Sequence, residues 1–395
     1  MPETLWKRLA RFAPAARLVP HGFKRWLRRR VSVLAYDLEV WARSDPFRRD
    51  PPQFSGNGYA DVKLGIVKEF AHAHQHYVAA CRELGVAYEL VDLAASDWIE
   101  AVQRVRCDAF LVWPSPVLSI WKQMYEERLK IMQDELGLRL YPSYDEIWLY
   151  ENKRRMRDWL RAHGVPHPRT EVFYHLREAL EFVAACPLPV VLKTNHGASA
   201  HGVKILRRRR EVLKWVKRAF RKGLVPERGD PRDRQWGHVI LQEYLPEVRE
   251  WRLVRIGDSY FGHVKGKRGE FHSGSGRVVW QAPPEALLEF LRWVTDLGGF
   301  TSMNVDVFET RDGRYLVNEL QTVFGASYSG HQLEVDGRQG RFRFDAGRKT
   351  WRFEPGDFAR NHCCNLRVEY LLGTLSRKQE AGASARSRRA VNAGS

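Results

Sequence analysis

The sequence predicts a mixed α/β (α+β) protein: a parallel α/β domain on the N-terminal side, then a larger part built on antiparallel sheets. Three observations carry this prediction. Between residues 31 and 141 short apolar runs alternate with stretches of helical periodicity, as the strands and crossover helices of a parallel sheet do. Further on, Gly257-Asp258 and Arg311-Asp312-Gly313 each separate two apolar runs, the pattern of antiparallel hairpins. The chain has 395 residues, 44% of them hydrophobic, enough for two or three domains, and no apolar run approaches the ~18 residues that would cross a bilayer.

In the first part, Val31–Leu38 reads as a strand and residues 68–84 as a helix carrying Phe70, His74, Tyr77, Val78 and Cys81 on one face. Tyr88–Val91 is the next strand, Trp98–Val105 a helix, and Asp108–Val112 a strand closed by Trp113-Pro114. Leu118–Leu136 is helical, and Arg139-Leu140-Tyr141 forms a short strand. The polar stretch from Ala42 to Tyr59, with its glycines and prolines, reads as a loop. No GxGxxG follows the first strand, so a dinucleotide fingerprint is absent.

Glu151–His163 forms the next helix, stopped by Gly164 and Pro166. A strand from Thr170, a helix at Leu176–Ala185 and the stretch PVVLKTNHGASAHGV follow. In that stretch two apolar runs, Val190–Leu192 and Val203–Leu206, flank a loop with Gly197 and Gly202, which predicts a hairpin with Lys193 at its rim. A basic helix and the strand His238–Tyr244 come next. Glu250–Ile256 and Ser259–Val264 form one hairpin, Glu285–Leu297 a helix, and Ser302–Glu309 with Arg314–Leu320 a second hairpin. The expected division is a basic amphipathic segment at 1–30, an α/β domain at 31–140, two further units at 141–245 and 246–372, and a disordered basic tail at 373–395.

The formal net charge of +18 is concentrated at the ends: residues 1–30 contribute +8 and residues 377–389 contribute +4. Nothing resembles an RRM, KH or helix-turn-helix signature, which argues against nucleic acid as partner. In the first segment Leu5, Trp6, Leu9 and Phe12 share a face beside Lys7, Arg8 and Arg11. Such a segment packs on the body of the protein, makes peripheral contact with an anionic membrane, or serves as a transit peptide. Within the body, Arg207-Arg208-Arg209-Arg210 with Lys214, Lys217, Arg218, Arg221 and Lys222 is either a solvated helix face or a contact for an anionic partner. Five scattered cysteines without a CxxC exclude a disulfide scaffold or zinc ribbon and point to a reducing compartment. With no signal-peptide pattern, a cytoplasmic location is expected.

Several charged residues lie where strands should be apolar. Lys153 opens a helix, Lys193 ends a strand, Glu243 lies at a strand end, and Glu250 and Arg252 share a strand face two positions apart. Asp306 and Glu319 sit inside apolar strands joined by a hairpin, where a charge is costly unless paired or bound to an ion. Two carboxylates and the side-chain amide of Gln321 are hard oxygen ligands of the kind that suit Mg²⁺, with nucleotide phosphates completing the shell; a structural ion pair is the alternative.

Four segments in order, ENKRRMRDWLRAHGVPHPRT, PVVLKTNHGASAHGV, VILQEYLPEVREWRLVRIGDSYFG and SMNVDVFETRDGRYLVNELQTVFG, resemble the ATP-grasp superfamily over roughly residues 140–325. This is the fold of D-alanine–D-alanine ligase, glutathione synthetase and RimK-type glutamate ligases. The resemblance implies a two-lobed ATP-binding module, with a small lobe at 141–245 and a large lobe from 246 to 372, and ATP and Mg²⁺ as cofactors. It implies that Lys153 and Lys193 contact phosphates and that the loop with Gly197 and Gly202 closes over them. Gln242, Glu243, Tyr244 and Leu245 would meet the adenine edge and Glu250 the ribose hydroxyls. Arg252 would stabilise the transferred phosphoryl group, and Asp306, Glu319 and Gln321 would bind metal. The family usually has Asn where Gln321 stands, and its glycine loops are often richer in glycine. Lys265 and Arg268, in HVKGKRGEFHSGSGR, line the acceptor site or belong to a surface loop.

Three functions are compatible with this pattern. The first is an ATP-dependent ligase joining a small-molecule, peptide or glycan carboxylate to an amine or thiol through an acyl phosphate. The others are a kinase of the same fold acting on a hydroxyl of an anionic substrate, and a non-catalytic nucleotide sensor or scaffold.

Overall fold

The computed structural model describes residues 52–392 apart from 60, 70–71, 117, 198–201, 227–232, 268, 273–274 and 325–330; from 378 to 392 it describes the backbone alone. The expected strand Val31–Leu38, the basic segment 1–30 and Arg268 lie outside the described residues.

The parallel sheet comes first. β1 (Gln53–Phe54), β2 (Lys63–Val67), α1 (Gln75–Leu84), β3 (Ala87–Val91), α2 (Trp98–Arg104), β4 (Ala109–Leu111), α3 (Ser119–Asp134) and β5 (Leu140–Tyr141) follow one another along the chain. The strand order is β1-β3-β2-β4-β5, with β2 to β5 parallel and β1 antiparallel against β3. Leu64, Ile66, Tyr88 and Leu111 pack on one side against Tyr77 and Cys81 of α1, while Val102, Tyr125 and Leu129 fill the other. The sequence left β2 unassigned because Lys63 and Gly65 interrupt its apolar run, and β1 falls inside the stretch expected as loop.

Next comes α4 (Tyr144–Leu149), a helix the sequence did not announce. It is fixed by a capping box: Ser143 Oγ accepts from Glu146 N at 3.3 Å, and Glu146 accepts from Ser143 N at 2.8 Å. The other Glu146 oxygen accepts from the backbone of Thr301 (2.8 Å) and Ser302 (2.6 Å), so this buried carboxylate ties the approach to α5 (Lys153–Ala162) onto a distant strand.

A four-stranded antiparallel sheet follows, from β6 (Thr170–Phe173), α6 (Leu176–Ala185), β7 (Val190–Lys193), β8 (Val203–Leu206), α7 (Arg209–Arg221) and β9 (Val239–Glu243), in the order β6-β9-β7-β8. The predicted hairpin forms between β7 and β8, with Lys193 opposite Val203 as its last pair. Val183, Val190, Leu192, Val212, Val216 and Leu241 make the core beneath α6 and α7.

An eight-stranded antiparallel sheet completes the fold: β10 (Arg249–Ile256), β11 (Ser259–Lys265), β12 (Val278–Val279), α8 (Glu285–Leu297), β13 (Ser302–Glu309), β14 (Tyr315–Gln321), β15 (Glu334–Val335), β16 (Arg338–Asp345) and β17 (Thr350–Pro355). Its path runs β14-β13-β10-β11-β16-β15, with β12 beside β11 and β17 beside β16. The last helix, α9 (Arg360–Asn392), sets Val368 and Leu371 against the parallel sheet. Asn361, His362 and Cys363 near its start have positive φ. The backbone is helical through residues expected as a tail, in keeping with their many Ala, Arg, Lys, Gln and Glu, all good helix formers.

Candidate active site

Alternation along β10, β11, β13 and β14 sorts the eight-stranded sheet into two faces. Trp251, Leu253, Met303, Val305, Val307, Val317 and Leu320 point one way, into a core shared with Leu287, Leu288 and Leu291 of α8 and with Met156 and Leu160 of α5. The register places the polar positions together on the other face: Glu250 opposite Lys265, Arg252 between His263 and Asp306, Asp306 opposite Glu319, and Asn304 opposite Gln321. A β-bulge lies between Asp306 and Val307, so Asp306 pairs with Glu319 while Val307 pairs with Val317, leaving Asn318 as the extra residue. The bulge lets Val317 and Leu320 both reach the core and re-aims Asn318 toward the four-stranded sheet.

Most of these charges are buried and each has a partner. Lys265 Nζ reaches Asp306 Oδ2 at 2.9 Å and also pairs with Glu250. Arg252 Nε lies 3.5 Å from Asp306 Oδ1, which also accepts from Asn304 Nδ2 at 3.1 Å. Lys153 Nζ is 3.1 Å from Glu319 Oε1 and donates to the Gly197 carbonyl at 3.1 Å. Lys193 Nζ donates to Asn318 Oδ1 at 2.9 Å, which joins the tip of β7 to the bulge of β14. Gln321 Nε2 donates to Glu151 Oε1 (3.3 Å) and Glu319 Oε2 (3.2 Å).

The electrostatics separate the two central lysines. Burial lowers the pKa of both, but Asp306 and Glu250 more than offset it at Lys265, whose ammonium is held above its ordinary value. At Lys193 burial, joined by the charges of Lys153 and Lys265, outweighs the pull of Glu319 and Glu250 and takes the ammonium down from 10.5 to about 8. Burial pushes the Asp306 carboxyl up, but Lys265 and Arg252 outweigh it and hold the group at about 2. Glu319 is likewise held below its ordinary value, burial being overcome by Lys153 and Lys193. Glu151 is raised by burial and by the charge of Glu319, against the pull of Lys153.

The glycine loop is stitched to the first turn of α5: Asn195 O accepts from Lys153 N at 3.1 Å and Asn195 Oδ1 from Arg154 N at 3.0 Å. Gly197 has a φ of 141°, and a Cβ on Gly202 would stand 1.9 Å from Thr194 Oγ1, so a side chain is excluded there. Between the two antiparallel sheets opens a cleft with Val191, Ile205, Leu245 and Phe308 as apolar walls and Lys193, Glu250, Asn318 and Glu319 at its polar end. Gln242 and Glu243 close β9 at the cleft edge; Gln242 Nε2 donates to Thr170 Oγ1 (2.8 Å) and Glu243 Oε1 accepts from Arg169 N (2.7 Å). Tyr244 and Leu245 lie beyond the last ladder pair of that strand.

The structure thus brings Lys153, Lys193, Gly197, Glu250, Arg252, Lys265, Asp306, Glu319 and Gln321 together, with Gln242, Glu243, Tyr244 and Leu245 along the cleft. Lys265 is a buried strand residue in register with Glu250, not part of a surface loop. Glu151, Asn195, Asn304 and Asn318 were not foreseen. A polar residue next to a recognised lysine or carboxylate was the available signal for all four. Among the described residues Asn304 Oδ1, two positions from Asp306, is buried without a hydrogen-bond partner. Among the described residues no set of three His, Cys, Asp or Glu side chains is arranged to hold a metal unaided.

No protein-family model and no curated protein matches the sequence. Solved structures do. One is the biotin carboxylase domain of Hydrogenobacter thermophilus 2-oxoglutarate carboxylase, solved with MgADP, ADP and bicarbonate, at 15% identity over 66% of this chain with a TM-score of 0.50. This chain spans 64% of the length of that one. Others are N5-carboxyaminoimidazole ribonucleotide synthetase from Thermotoga maritima (16% identity, 68% of this chain, 70% of that one, TM-score 0.48) and D-alanine–D-alanine ligase from Bacillus anthracis (14%, 81%, 99%, 0.49). At such identities the likeness is one of fold. With a parallel α/β sheet leading into two antiparallel sheets that face each other across a charged cleft, the chain has the ATP-grasp fold.

Proposed function

We propose that this chain is an ATP-dependent ligase that joins a carboxylate to an amine through an acyl phosphate, with residues 141–245 as the small lobe and 246–372 as the large lobe. The observation that supports this most is the cross-strand pair Asp306 and Glu319, ringed by Lys153, Lys193, Arg252 and Lys265 at the polar end of an apolar slot. Val191, Ile205 and Phe308 supply flat walls for an adenine ring, and the hinge backbone at Tyr244–Leu245 would bond its edge. Glu250 would take the ribose hydroxyls. Lys153 and Lys193 would meet phosphate oxygens as point charges.

Four carboxylates (Glu151, Glu250, Asp306, Glu319) face four cations (Lys153, Lys193, Arg252, Lys265), so the formal charges of this inner cluster balance before nucleotide enters. A polyphosphate adds negative charge that a further cation would balance. The donor set fits magnesium: two ionised carboxylates, the unpartnered Asn304 Oδ1 one register step away, and the Gln321 amide. Asp306, Glu319 and Gln321 would hold it, and when bound it neutralises phosphate charge. Lys265 keeps Asp306 ionised and aimed.

A substrate carboxylate oxygen attacks the γ-phosphorus, the bond to the β–γ bridging oxygen breaks, and ADP leaves. The amine then attacks the acyl carbon, the acyl C–O bond to the phosphoryl group breaks, and phosphate departs carrying the amine proton, with the C–N bond formed. Arg252 stabilises negative charge on the phosphoryl group and on the tetrahedral intermediate. An acceptor screen that follows ADP release against amino acids, peptides and acidic glycans tests the proposal. ADP and free phosphate appearing only when carboxylate and amine are both present support it, whereas ADP appearing with a phosphoester indicates a kinase.

A further inference from the structure

The small lobe carries a cationic surface that nucleotide chemistry does not use. On α7, Arg210, Lys214, Lys217 and Arg221 are exposed, and at about 100° per residue they fall within about 60° of arc. The buried Val212, Val216 and Ala219 occupy the opposite side, so the stripe points directly away from the protein. Arg218, also exposed, widens it on one side. Arg210 with Lys214, Lys214 with Arg218, and Lys217 with Arg221 repel one another at four-residue spacing, which weakens a helix. Among the described residues, Glu270 on Arg207 is the only carboxylate paired with the segment 207–222.

Two indoles lie on or near this helix. Trp215 on α7 is half-buried, with Lys204 Nζ 5.1 Å and the Arg218 guanidinium 5.2 Å from its ring. Trp236 is 66% exposed at the C-terminal end of α7, held there because Gln235 pairs with Leu224 and Gly237 N donates to Ala219 O at 3.3 Å.

We infer that α7 and Trp236 form a docking face for a bilayer rich in anionic lipid. Outward cations in a row of about 17 Å match a plane of negative headgroups, and an exposed indole near the end of the same helix suits the headgroup boundary. The stripe is convex and lies on a single helix. It offers none of the groove with which single-strand binders track a polynucleotide. Residues 1–30 are present in every variant below.

The test is co-sedimentation of the full chain with phosphatidylcholine vesicles, with and without phosphatidylglycerol. The parent should partition onto the anionic vesicles alone. Since each cation near such a surface contributes about fivefold, the quadruple variant Arg210→Gln, Lys214→Gln, Lys217→Gln, Arg221→Gln should lose more than tenfold. Trp236→Ser should lose several-fold, and both variants should keep the MgATP thermal shift of the parent. Equal partitioning of parent and quadruple variant overturns the inference, as does equal binding of the parent to both vesicle types. Displacement of the parent from vesicles by polyuridylate, with tighter binding to that polymer, assigns the face to nucleic acid instead.

Discussion

Lys193→Met separates the two demands on this lysine. The residue is 8% exposed and its pKa is depressed from 10.5 to about 8, so at neutral pH the folded protein holds a charge that its surroundings disfavour. That depression corresponds to about 3 kcal/mol against folding. Methionine keeps an unbranched chain and drops the charge, but loses the bond to Asn318, worth about 1 kcal/mol. The variant should therefore be more stable than the parent by about 2 kcal/mol at pH 7 without nucleotide, and should no longer be stabilised by MgATP. The sign with pH follows from the lowered folded value. Between about 8 and 10.5 the unfolded chain binds more protons at this site, so parent stability rises with pH and the advantage of the variant fades. Nucleotide affinity moves the opposite way, since phosphate needs the ammonium, and it should fall as pH passes about 8. Urea unfolding of both proteins across this range, with and without MgATP, checks all three. A variant less stable than the parent at pH 7, or one still stabilised by MgATP, would refute the reasoning.

Lys265→Met should do the reverse: Asp306 and Glu250 lose a buried partner whose ammonium they stabilise, so the same unfolding assay should show a loss of about 3 kcal/mol. Glu319→Gln keeps size but removes one carboxylate of the central pair, and ADP formation with a working acceptor should drop more than about a hundredfold, about 3 kcal/mol in the barrier. Gln321→Asn should be tolerated, whereas Gln321→Leu removes the donor to Glu151 and Glu319 and should cost about 1–3 kcal/mol of stability together with most of the turnover.

Much of the site was legible because it is written in local alternation. Glu250 and Arg252, or Asp306 within Asn304-Val305-Asp306-Val307-Phe308, break an apolar pattern of period two, so their face and their cost could be read without coordinates. The hairpin turns set which strands pair and so brought Asp306 opposite Glu319. What escaped depends on irregularity or on distance along the chain. The bulge that turns Asn318 toward Lys193 shows in Val317-Asn318-Glu319-Leu320 only as two polar residues in succession, and Glu151 gains its place from contacts 170 residues away. Lys265 could be read as an acceptor-site residue or as surface loop because glycines and cations follow it; its pairing with Glu250 is set by strand register. By contrast β16 and β17 do alternate, through Phe342 and Phe344 and through Trp351 and Phe353, so that signal was present and unused.

The most direct test of the central claim, that the polar face of the large sheet is a MgATP phosphate site, is calorimetric titration of the full chain with ATP in the presence and absence of magnesium. A site whose inner formal charges balance should bind ATP saturably with magnesium and far more weakly once the metal is chelated. At a hundredfold excess over Kd the magnesium complex should add about 2.7 kcal/mol to stability. Absence of binding heat with magnesium, or equal affinity with and without the metal, would contradict it.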